Sequence, residues 1–148
     1  MNNNRYRCVV TGTCAPAVTS SAAILTVIAP VTISTQPANA ELCSGSNTSF
    51  TVAGNSVQTI IYQWQYSTDG GSSWNPVVNG GVYSGATTAT LTITGATASL
   101  STTLYRCQLS NATCPTPANS NGALLTVRPL PTVGLAATLT SLLPGKVS

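Results

Sequence analysis

Apolar and polar residues alternate with a period of two along the middle of the chain. Tyr62, Trp64 and Tyr66 lie on one face of a predicted strand, with Gln63 and Gln65 on the other. The same alternation recurs over residues 49–52, 88–94 and 105–109. Because successive side chains of a β-strand point to opposite faces, this period predicts strands buried on one side. No segment has a helical period, so the chain is predicted to be all-β.

Turn-forming residues separate these predicted strands at the spacing of hairpins. Glycine pairs stand at 70–71 and 80–81, and single glycines follow at Gly85 and Gly95. Glycine adopts the positive φ angles that tight turns need. Several short strands with regular turns are typical of a β-sandwich or a β-barrel.

Three features in the order of an immunoglobulin-type core favour the sandwich. Trp64 lies on a central strand, as the core tryptophan of such domains does. The segment 95–103 fits the corner between two strands, and Tyr105 stands two residues before Cys107. This spacing is that of a tyrosine corner, in which the hydroxyl bonds to nearby backbone. The sequence therefore predicts an immunoglobulin-like β-sandwich with Trp64 and Tyr105 in its core.

The chain also repeats itself. RYRC at residues 5–8 returns as LYRC at residues 104–107, an offset of 99, and ILTV at 24–27 returns as LLTV at 124–127, an offset of 100. Between them Cys14 corresponds to Cys114. A weaker echo places LCSG at 42–45 against LLPG at 142–145. A period near 100 residues indicates a tandem array of domains.

This period divides the chain into three parts. Residues 1–28 are predicted to be the last strands of a preceding repeat, 29–128 a complete domain, and 129–148 the start of a following repeat. The first part lacks the strands that would cover it, which leaves apolar faces and unpaired edges. We expect either that the chain is a piece of a longer polypeptide, or that its ends pair between subunits by strand addition.

Two longer strings carry a family resemblance. They are YQWQYSTDGGSSW at 62–74 and GVYSGATTATLTIT at 81–94. Together with the Tyr-Arg-Cys motif and its trailing cysteine, they resemble the tandem immunoglobulin-like repeats of very large Bacteroidota exoproteins. Those proteins include adhesin-like, gliding-associated and type IX-secreted chains. The resemblance implies an extracellular stalk or adhesive fibre and transfers no catalytic residue.

Composition agrees with an extracellular structural module. Only 5% of residues are charged, against roughly 25% in a typical soluble domain. The net charge of +3 comes from cations scattered along the chain, so a nucleic-acid surface is not expected. No apolar stretch approaches the roughly 18 residues of a membrane span. The chain opens without a signal-peptide pattern, so we expect the natural start to lie upstream.

The chemistry of an enzyme is missing from the sequence. There is no histidine, and the two carboxylates are Glu41 and Asp69, a strand and a turn apart. A glycosidase needs two facing carboxyls, and a nucleophile needs an adjacent base. Clustered Cys or His for zinc and several carboxylates for calcium are also lacking. We therefore expect no catalytic residues, no metal and no cofactor.

Four of the five cysteines suggest local bridges in an oxidising compartment. Cys107 and Cys114 flank a predicted hairpin centred on residues 110–111, where they would face each other. Cys8 and Cys14 stand in the same way around residues 11–12. The sequence favours these two disulfides, which close short loops.

Cys43 is the odd cysteine. A bridge from Cys43 to Cys107 would copy the inter-sheet disulfide of antibody domains, but Phe50 or Val52 better fits the core position opposite Cys107. The related position in the next repeat is Leu143. Cys43 is thus predicted to be a free, partly buried thiol or a link to a neighbouring domain.

Residues 67–74 fit the pattern S-x-D-x-G-x-x-W of hairpins in sialidase-type propellers. We interpret it as a turn in which Asp69 caps backbone amides and Trp74 folds back. The alternative is an exposed platform, formed by Trp74 and Tyr83, for a sugar ring.

Two functions follow as hypotheses. The first is a structural repeat of a surface fibre or adhesin, acting as a spacer or self-associating module whose partners are neighbouring repeats or subunits. The second is a module that binds a glycan or protein through loop aromatics. Exposed rings of Trp74 and Tyr83 would favour binding, and buried rings would favour the spacer.

Overall fold

The computed structural model describes residues 2–131. Within this range there are 15 β-strands and a 3-10 helix, Ala98–Leu100. The strands are β1 Asn4–Tyr6, β2 Val9–Val10, β3 Val18–Thr19, β4 Ala23–Leu25, β5 Thr32–Thr35, β6 Ala40–Cys43, β7 Thr48–Thr51, β8 Ala53–Asn55, β9 Ile61–Ser67, β10 Asn75–Pro76, β11 Tyr83–Ser84, β12 Thr90–Ile93, β13 Leu104–Ser110, β14 Ala118–Asn119 and β15 Ala123–Arg128.

Strands β5 to β15 form two facing layers. One sheet has the order β10-β9-β13-β15-β6, with β14 also paired to β13. The other layer contains β11-β12-β7, and β8, which follows β7, pairs with β5. Only the β15–β6 pair is parallel among the ladders of the described chain. This arrangement is the immunoglobulin-like sandwich, and it confirms the predicted fold class.

The longest ladder joins β9 and β13 over seven residue pairs, from Leu104↔Ser67 to Ser110↔Ile61. In β13 buried residues alternate with half-buried ones, as the sequence period predicted. In β9 Trp64 is buried as expected, but Ser67 is buried on the opposite face, which the period predicted to be outward. Trp64 and Cys107 are direct partners in this ladder, and both are fully buried.

An aromatic cluster fills the centre of the core. Trp64, Tyr105 and Phe50 are at most 1% exposed, and the rings of Phe50 and Tyr105 stack with centroids 5.1 Å apart. The Trp64 indole Nε1 donates a hydrogen bond to the Thr88 carbonyl at 2.9 Å, so its one polar atom is satisfied. The remaining buried apolar residues are Val31, Val52, Val77, Ala86, Leu91, Ile93, Ala96, Cys107, Leu109, Ala123, Leu125 and Val127.

The Tyr105 hydroxyl corrects one expectation. It pairs with the Tyr83 hydroxyl at 2.9 Å, not with nearby backbone as a tyrosine corner requires. The neighbouring strand β11 brings Tyr83 within reach across the sandwich, so a side chain supplies the partner. Desolvation is the main cause that raises the pKa of Tyr105 well above its ordinary value, and the bond to Tyr83 is the second.

A turn before β12 requires glycine. Gly85 has φ +78°, and a Cβ atom there would collide with the Thr90 carbonyl oxygen. The Trp64 indole bonds to the backbone of the same turn at Thr88.

The strands of residues 4–27 form two short antiparallel pairs of their own, β1–β4 and β2–β3. We call residues 4–27 the N-terminal strand unit. Every residue of its four strands is exposed.

Residues 2–131 contain no helix that is long and apolar enough to cross a membrane.

Candidate functional site

The N-terminal strand unit has the same strand register as residues 104–127. Arg5 pairs with Ile24 as Leu104 pairs with Leu124. The other equivalent ladder pairs are Tyr6↔Ala23 with Tyr105↔Ala123, Val9↔Thr19 with Gln108↔Asn119, and Val10↔Val18 with Leu109↔Ala118. We call residues 104–127 the closing unit, because its strands β13, β14 and β15 complete the sandwich. The two units share one local structure.

Individual hydrogen bonds repeat as well. The Cys8 amide donates to Ser20 Oγ at 2.9 Å, and the Cys107 amide donates to Ser120 Oγ at 2.8 Å. In each unit the serine hydroxyl then donates to the carbonyl of the next residue at 3.0 Å. The serine amide returns a bond to the cysteine carbonyl at 2.9 Å in both units.

The serines were not singled out by the sequence analysis. Their signal was available, since Ser20 and Ser120 stand 100 residues apart, the offset of ILTV and LLTV. A serine opposite a cysteine also explains why this position repeats, because its hydroxyl replaces a missing strand-to-strand amide bond.

Equivalent side chains of the two units differ sharply in their exposure to solvent. Tyr6 is 52% exposed whereas Tyr105 is 0% exposed, and Leu25 is 42% exposed whereas Leu125 is 0% exposed. The face of the N-terminal strand unit that is equivalent to the core therefore lies in solvent. Within the described residues, no packing covers these apolar side chains.

The register contradicts the predicted hairpin at Cys107. Ser120, not Cys114, lies opposite Cys107, because the connection after β13 spans residues 111–117 and is wider than a tight turn. The Asn111 carboxamide oxygen shapes this loop by accepting bonds from the amides of Thr113 and Cys114, at 3.1 and 2.6 Å. The predicted register, centred on residues 110–111, is wrong.

All five cysteines are free thiols in the structure. Cys107 is buried, and desolvation raises the pKa of its thiol to about 12. The Cys114 thiol lies 3.4 Å from the Ile28 carbonyl, while Cys8 and Cys14 are exposed. The bridges Cys107–Cys114 and Cys8–Cys14 stay predictions.

Cys43 ends strand β6, beside Arg128 of β15 in the parallel ladder. Its side chain is exposed, so the expectation of a partly buried thiol is wrong. Leu42, the preceding residue, packs against the core instead. Cys43 and the buried Cys107 also lie in different environments, which agrees with the argument against a bridge between them. An interdomain link through Cys43 stays a prediction.

The segment 67–74 forms a turn held by side chains. The Asp69 carboxylate accepts bonds from Ser67 Oγ at 2.6 Å, from the Ser73 amide at 2.9 Å and from Ser73 Oγ at 2.6 Å. These hydrogen bonds hold the pKa of Asp69 well below its usual range. The bond from Ser67 contributes most, and those from Ser73 come second. Both oxygens of the Asp69 carboxylate thus accept hydrogen bonds from residues of the turn itself.

Trp74 folds back over this turn, as predicted. Its indole Nε1 donates to the Gly71 carbonyl at 3.0 Å, and the Arg106 guanidinium lies 4.2 Å from the ring centroid. Arg106 is itself held by a bond from its Nε to Gln65 Oε1 at 2.8 Å. The ring is half-buried, with one face covered by a cation–π contact.

Trp74 and Tyr83 do not form a shared platform. Trp74 contacts Arg106, whereas Tyr83 bonds to Tyr105, the preceding residue of the same strand. Adjacent residues of a strand point to opposite faces, so the two aromatic rings are associated with opposite faces of β13.

Two shallow clefts lie at the end of the sandwich near loops 56–60 and 111–117 and residues 29–30, which precede β5. One, of about 420 Å³, is lined by Val57, Gln58, Thr59, Ala112 and Thr113. The other, of about 350 Å³, is lined by Ala29, Pro30, Thr32, Asn55, Ser56 and Val57. Neither lining contains an ionisable group. In the part of the chain that the structure describes, no cluster of three or more His, Cys, Asp or Glu residues is placed to hold a metal.

Solved structures similar to this chain are immunoglobulin domains. An I-band fragment of titin is 23% identical with a TM-score of 0.54, over 70% of this chain and 34% of that one. The tandem Ig repeats of Dlar are 18% identical with a TM-score of 0.58, over 87% of this chain and 64% of theirs. A Dscam structure is 17% identical with a TM-score of 0.57, over 76% of this chain and 29% of that one. The chain thus spans about a third of the titin fragment, and at these identities the likeness establishes the fold.

No curated protein gives a significant match to the chain. The profile of a family described as "Domain of unknown function (DUF8696)" matches residues 32–129, which is most of the chain. The chain belongs to this family.

Proposed function

We propose that this chain is a structural repeat of an extracellular surface protein or fibre. Residues 29–128 form its complete immunoglobulin-like domain, and residues 1–28 are the closing strands of a preceding repeat. The start of a following repeat, at 129–148, falls almost wholly outside the described residues. The observation behind the proposal is the duplicated closing unit, whose register and Cys–Ser hydrogen bonds recur 99 to 100 residues apart.

The surface chemistry supports a passive spacer. With 5% charged residues, the exterior is dominated by neutral hydroxyl and amide groups. Thr51 and Thr90, for example, face each other across β7 and β12 with their hydroxyls 3.2 Å apart. Such a surface offers little for electrostatic recognition. Its composition and the resemblance to Bacteroidota exoproteins support secretion to the cell surface, with neighbouring repeats or subunits as partners.

The alternative is binding of a glycan or protein through loop aromatics. It would need Trp74 and Tyr83 to present their rings together, as sugar-stacking sites do. Both rings are half-buried, one beneath Arg106 and one against Tyr105. This arrangement favours the spacer over the binding module.

Single-molecule pulling tests the spacer role. A concatenate of several copies of residues 29–128 should unfold in equal steps. Roughly 100 residues extend to about 350 Å when unfolded. Each step should therefore lengthen the molecule by about 300 Å, which is this extended length less the length of the folded domain. Unequal steps, or extension without discrete events, would contradict independent folded repeats.

Labelling of whole cells tests the location. An antibody raised against the folded chain should label intact cells of the source organism as strongly as permeabilised ones. Titration with glycans, followed by tryptophan fluorescence, tests the alternative. A saturable change that Trp74→Ala abolishes would favour binding, whereas the spacer predicts none.

A further inference from the structure

Two cysteines lie beside equivalent positions of the chain, at the junction between one repeat and the next. Ile28 follows strand β4, and Arg128, 100 residues later, ends strand β15. The Cys114 thiol donates to the Ile28 carbonyl at 3.4 Å. The parallel ladder places Cys43 beside Arg128. Cys114 thus belongs to the domain after its junction, whereas Cys43 belongs to the domain before its junction.

The chain has the same local structure where it leaves the two repeats. The Val27 amide donates to Asn2 Oδ1 and the Val127 amide donates to Ser101 Oγ, both at 3.0 Å. These bonds continue the shared register of the preceding strand residues. Contacts seen at one of the two junctions can therefore be transferred to the other.

This transfer brings the two cysteines together. The Arg128 carbonyl accepts a bond from the Ser44 amide at 2.8 Å. Because a carbonyl oxygen has two lone pairs, it can also accept the thiol of a following repeat, as the Ile28 carbonyl accepts Cys114. That sulfur would lie within about 6 Å of the Ser44 nitrogen, which is compatible with the limit of about 7 Å between the Cα atoms of a disulfide. Ser44 directly follows Cys43 in the chain.

Exposure and distance also favour this pair. Cys43 is exposed and Cys114 is half-buried, whereas Cys107, the other candidate partner of Cys114, is fully buried. The Asn111 amide bonds to the Cys114 carbonyl at 3.4 Å, and four residues of strand, about 13 Å, separate Asn111 from Cys107. Cys114 is therefore better placed for the junction than for Cys107.

We propose that Cys43 forms a disulfide with the cysteine of the following repeat that is equivalent to Cys114. The inference rests on the proposed function, since it needs a tandem array. The recurrence of Cys14 as Cys114 indicates that the following repeat supplies this cysteine. Leu143 stands at the position equivalent to Cys43, so the bond belongs to this junction and is not repeated at the next one. In a stalk under tension, the bond bears the load and residues 44–128 of this repeat are not extended.

Formation of the bond needs an external disulfide as oxidant. The Cys43 thiolate attacks one sulfur of oxidised glutathione and releases one glutathione thiolate. The thiolate of the second cysteine then attacks the mixed disulfide, forms the bond to Cys43 and releases the second glutathione. The two cysteines lose two electrons and two protons, and the two glutathione thiols gain them. Disulfides of this kind persist in the oxidising compartments that a secreted chain passes through.

A two-repeat chain tests the proposal. It consists of residues 1–128 followed by residues 29–148, which keeps every residue of the chain and the period of 100. The chain is folded in reductant, oxidised with glutathione disulfide at low protein concentration, blocked at its free thiols and digested with trypsin. Cys43 of the first copy then lies on peptide 8–106 and Cys114 of the second copy on peptide 107–146. Mass spectrometry should find these two peptides linked, and dithiothreitol should separate them.

Matched variants identify the two cysteines. Cys43→Ser in the first copy, or Cys114→Ser in the second, should abolish the linked pair. The same substitutions in the opposite copies, Cys43→Ser in the second and Cys114→Ser in the first, are the controls and should leave it intact. Persistence of the pair in the first two variants would overturn the proposal.

A folded two-repeat chain without the linked pair would also overturn the disulfide, as would a Cys107–Cys114 bond within each copy. Folding is followed separately, by tryptophan fluorescence in reductant. A two-repeat chain that does not fold there would contradict the tandem array itself. Failure of the disulfide alone would leave the array intact, so the two failures are distinguishable.

Discussion

The N-terminal strand unit and the closing unit have one local structure in two environments. Both place a serine hydroxyl against a cysteine amide, and both accept a further amide bond at the equivalent leucine, from Asn3 to Leu25 at 2.9 Å and from Thr102 to Leu125 at 2.8 Å. Only the closing unit is covered, by the opposite sheet and two flanking strands. The pairing and register thus belong to the local sequence, whereas burial belongs to the rest of the domain.

The comparison separates hydrogen bonding from packing as sources of stability. Exchange of protein–water for protein–protein hydrogen bonds gives a small net gain, and removal of apolar area from water gives the larger one. A two-stranded ribbon without a covered face is marginal in water. The closing unit should therefore be the cooperative part of the fold, and the N-terminal strand unit should contribute little to the free energy of unfolding.

Thiol reactivity should show the largest difference between the units. Under reducing conditions an alkylating reagent should modify Cys8 at the rate of an exposed thiol. Cys107 should react only after unfolding, since it is buried and its pKa is raised to about 12, which suppresses the thiolate. Mass spectrometry of timed samples should show a rate ratio of roughly a thousandfold or more. Similar rates would mean that the closing unit opens locally.

Truncation of the equivalent leucines should sharpen the comparison. Leu125→Ala should lower the free energy of unfolding by about 2–5 kcal/mol, because it leaves a cavity in the core. Leu25→Ala is the matched control at an exposed site and should change it by less than about 0.5 kcal/mol. Urea unfolding followed by tryptophan fluorescence measures both. A large effect of Leu25→Ala would show that the N-terminal strand unit is covered in solution.

Removal of the equivalent tyrosine hydroxyls should have a smaller effect. Tyr105→Phe loses the bond to Tyr83 and should cost about 1 kcal/mol, whereas Tyr6→Phe should be near neutral.

The same hydroxyl predicts a pH dependence. Because folding raises the pKa of Tyr105, the unfolded chain releases this proton first, at its ordinary value near 10. Stability from the neutral hydroxyl is complete below that pH and is lost progressively above it. Unfolding curves between about pH 9 and 11 should show a steeper loss in the unsubstituted chain than in Tyr105→Phe. Parallel losses would contradict a buried, neutral Tyr105.

Much of this fold could be predicted from the alternation of apolar and polar residues along the sequence. The alternation around Trp64 and Tyr105 identified two strands, since one buried face imposes a period of two. Their pairing with each other is a finding of the structure. The repeat of RYRC and LYRC identified equivalent strands, and their register agrees with it. Local sequence determines these features, so they can be predicted without knowing which distant residues they contact.

Other features depend on contacts that no local pattern encodes. The loop after β13 takes its width from the Asn111 side chain, so the predicted turn and the facing of Cys107 with Cys114 were wrong. The Arg106 guanidinium covers the Trp74 ring, and Arg106 is held there by its bond to Gln65, which lies 41 residues before it in the sequence. The Tyr83–Tyr105 pair likewise joins opposite sheets. Each requires the assembled sandwich.

Native-state hydrogen exchange at two amides distinguishes a covered closing unit from an uncovered N-terminal strand unit. The amides of Cys8 and Cys107 donate to equivalent serine hydroxyls at nearly equal distances, and they differ in cover. We expect the Cys107 amide to exchange only through global unfolding and the Cys8 amide to exchange at least about a thousandfold faster. Equal protection of the two amides would contradict it, because both units would then lie within one cooperative core.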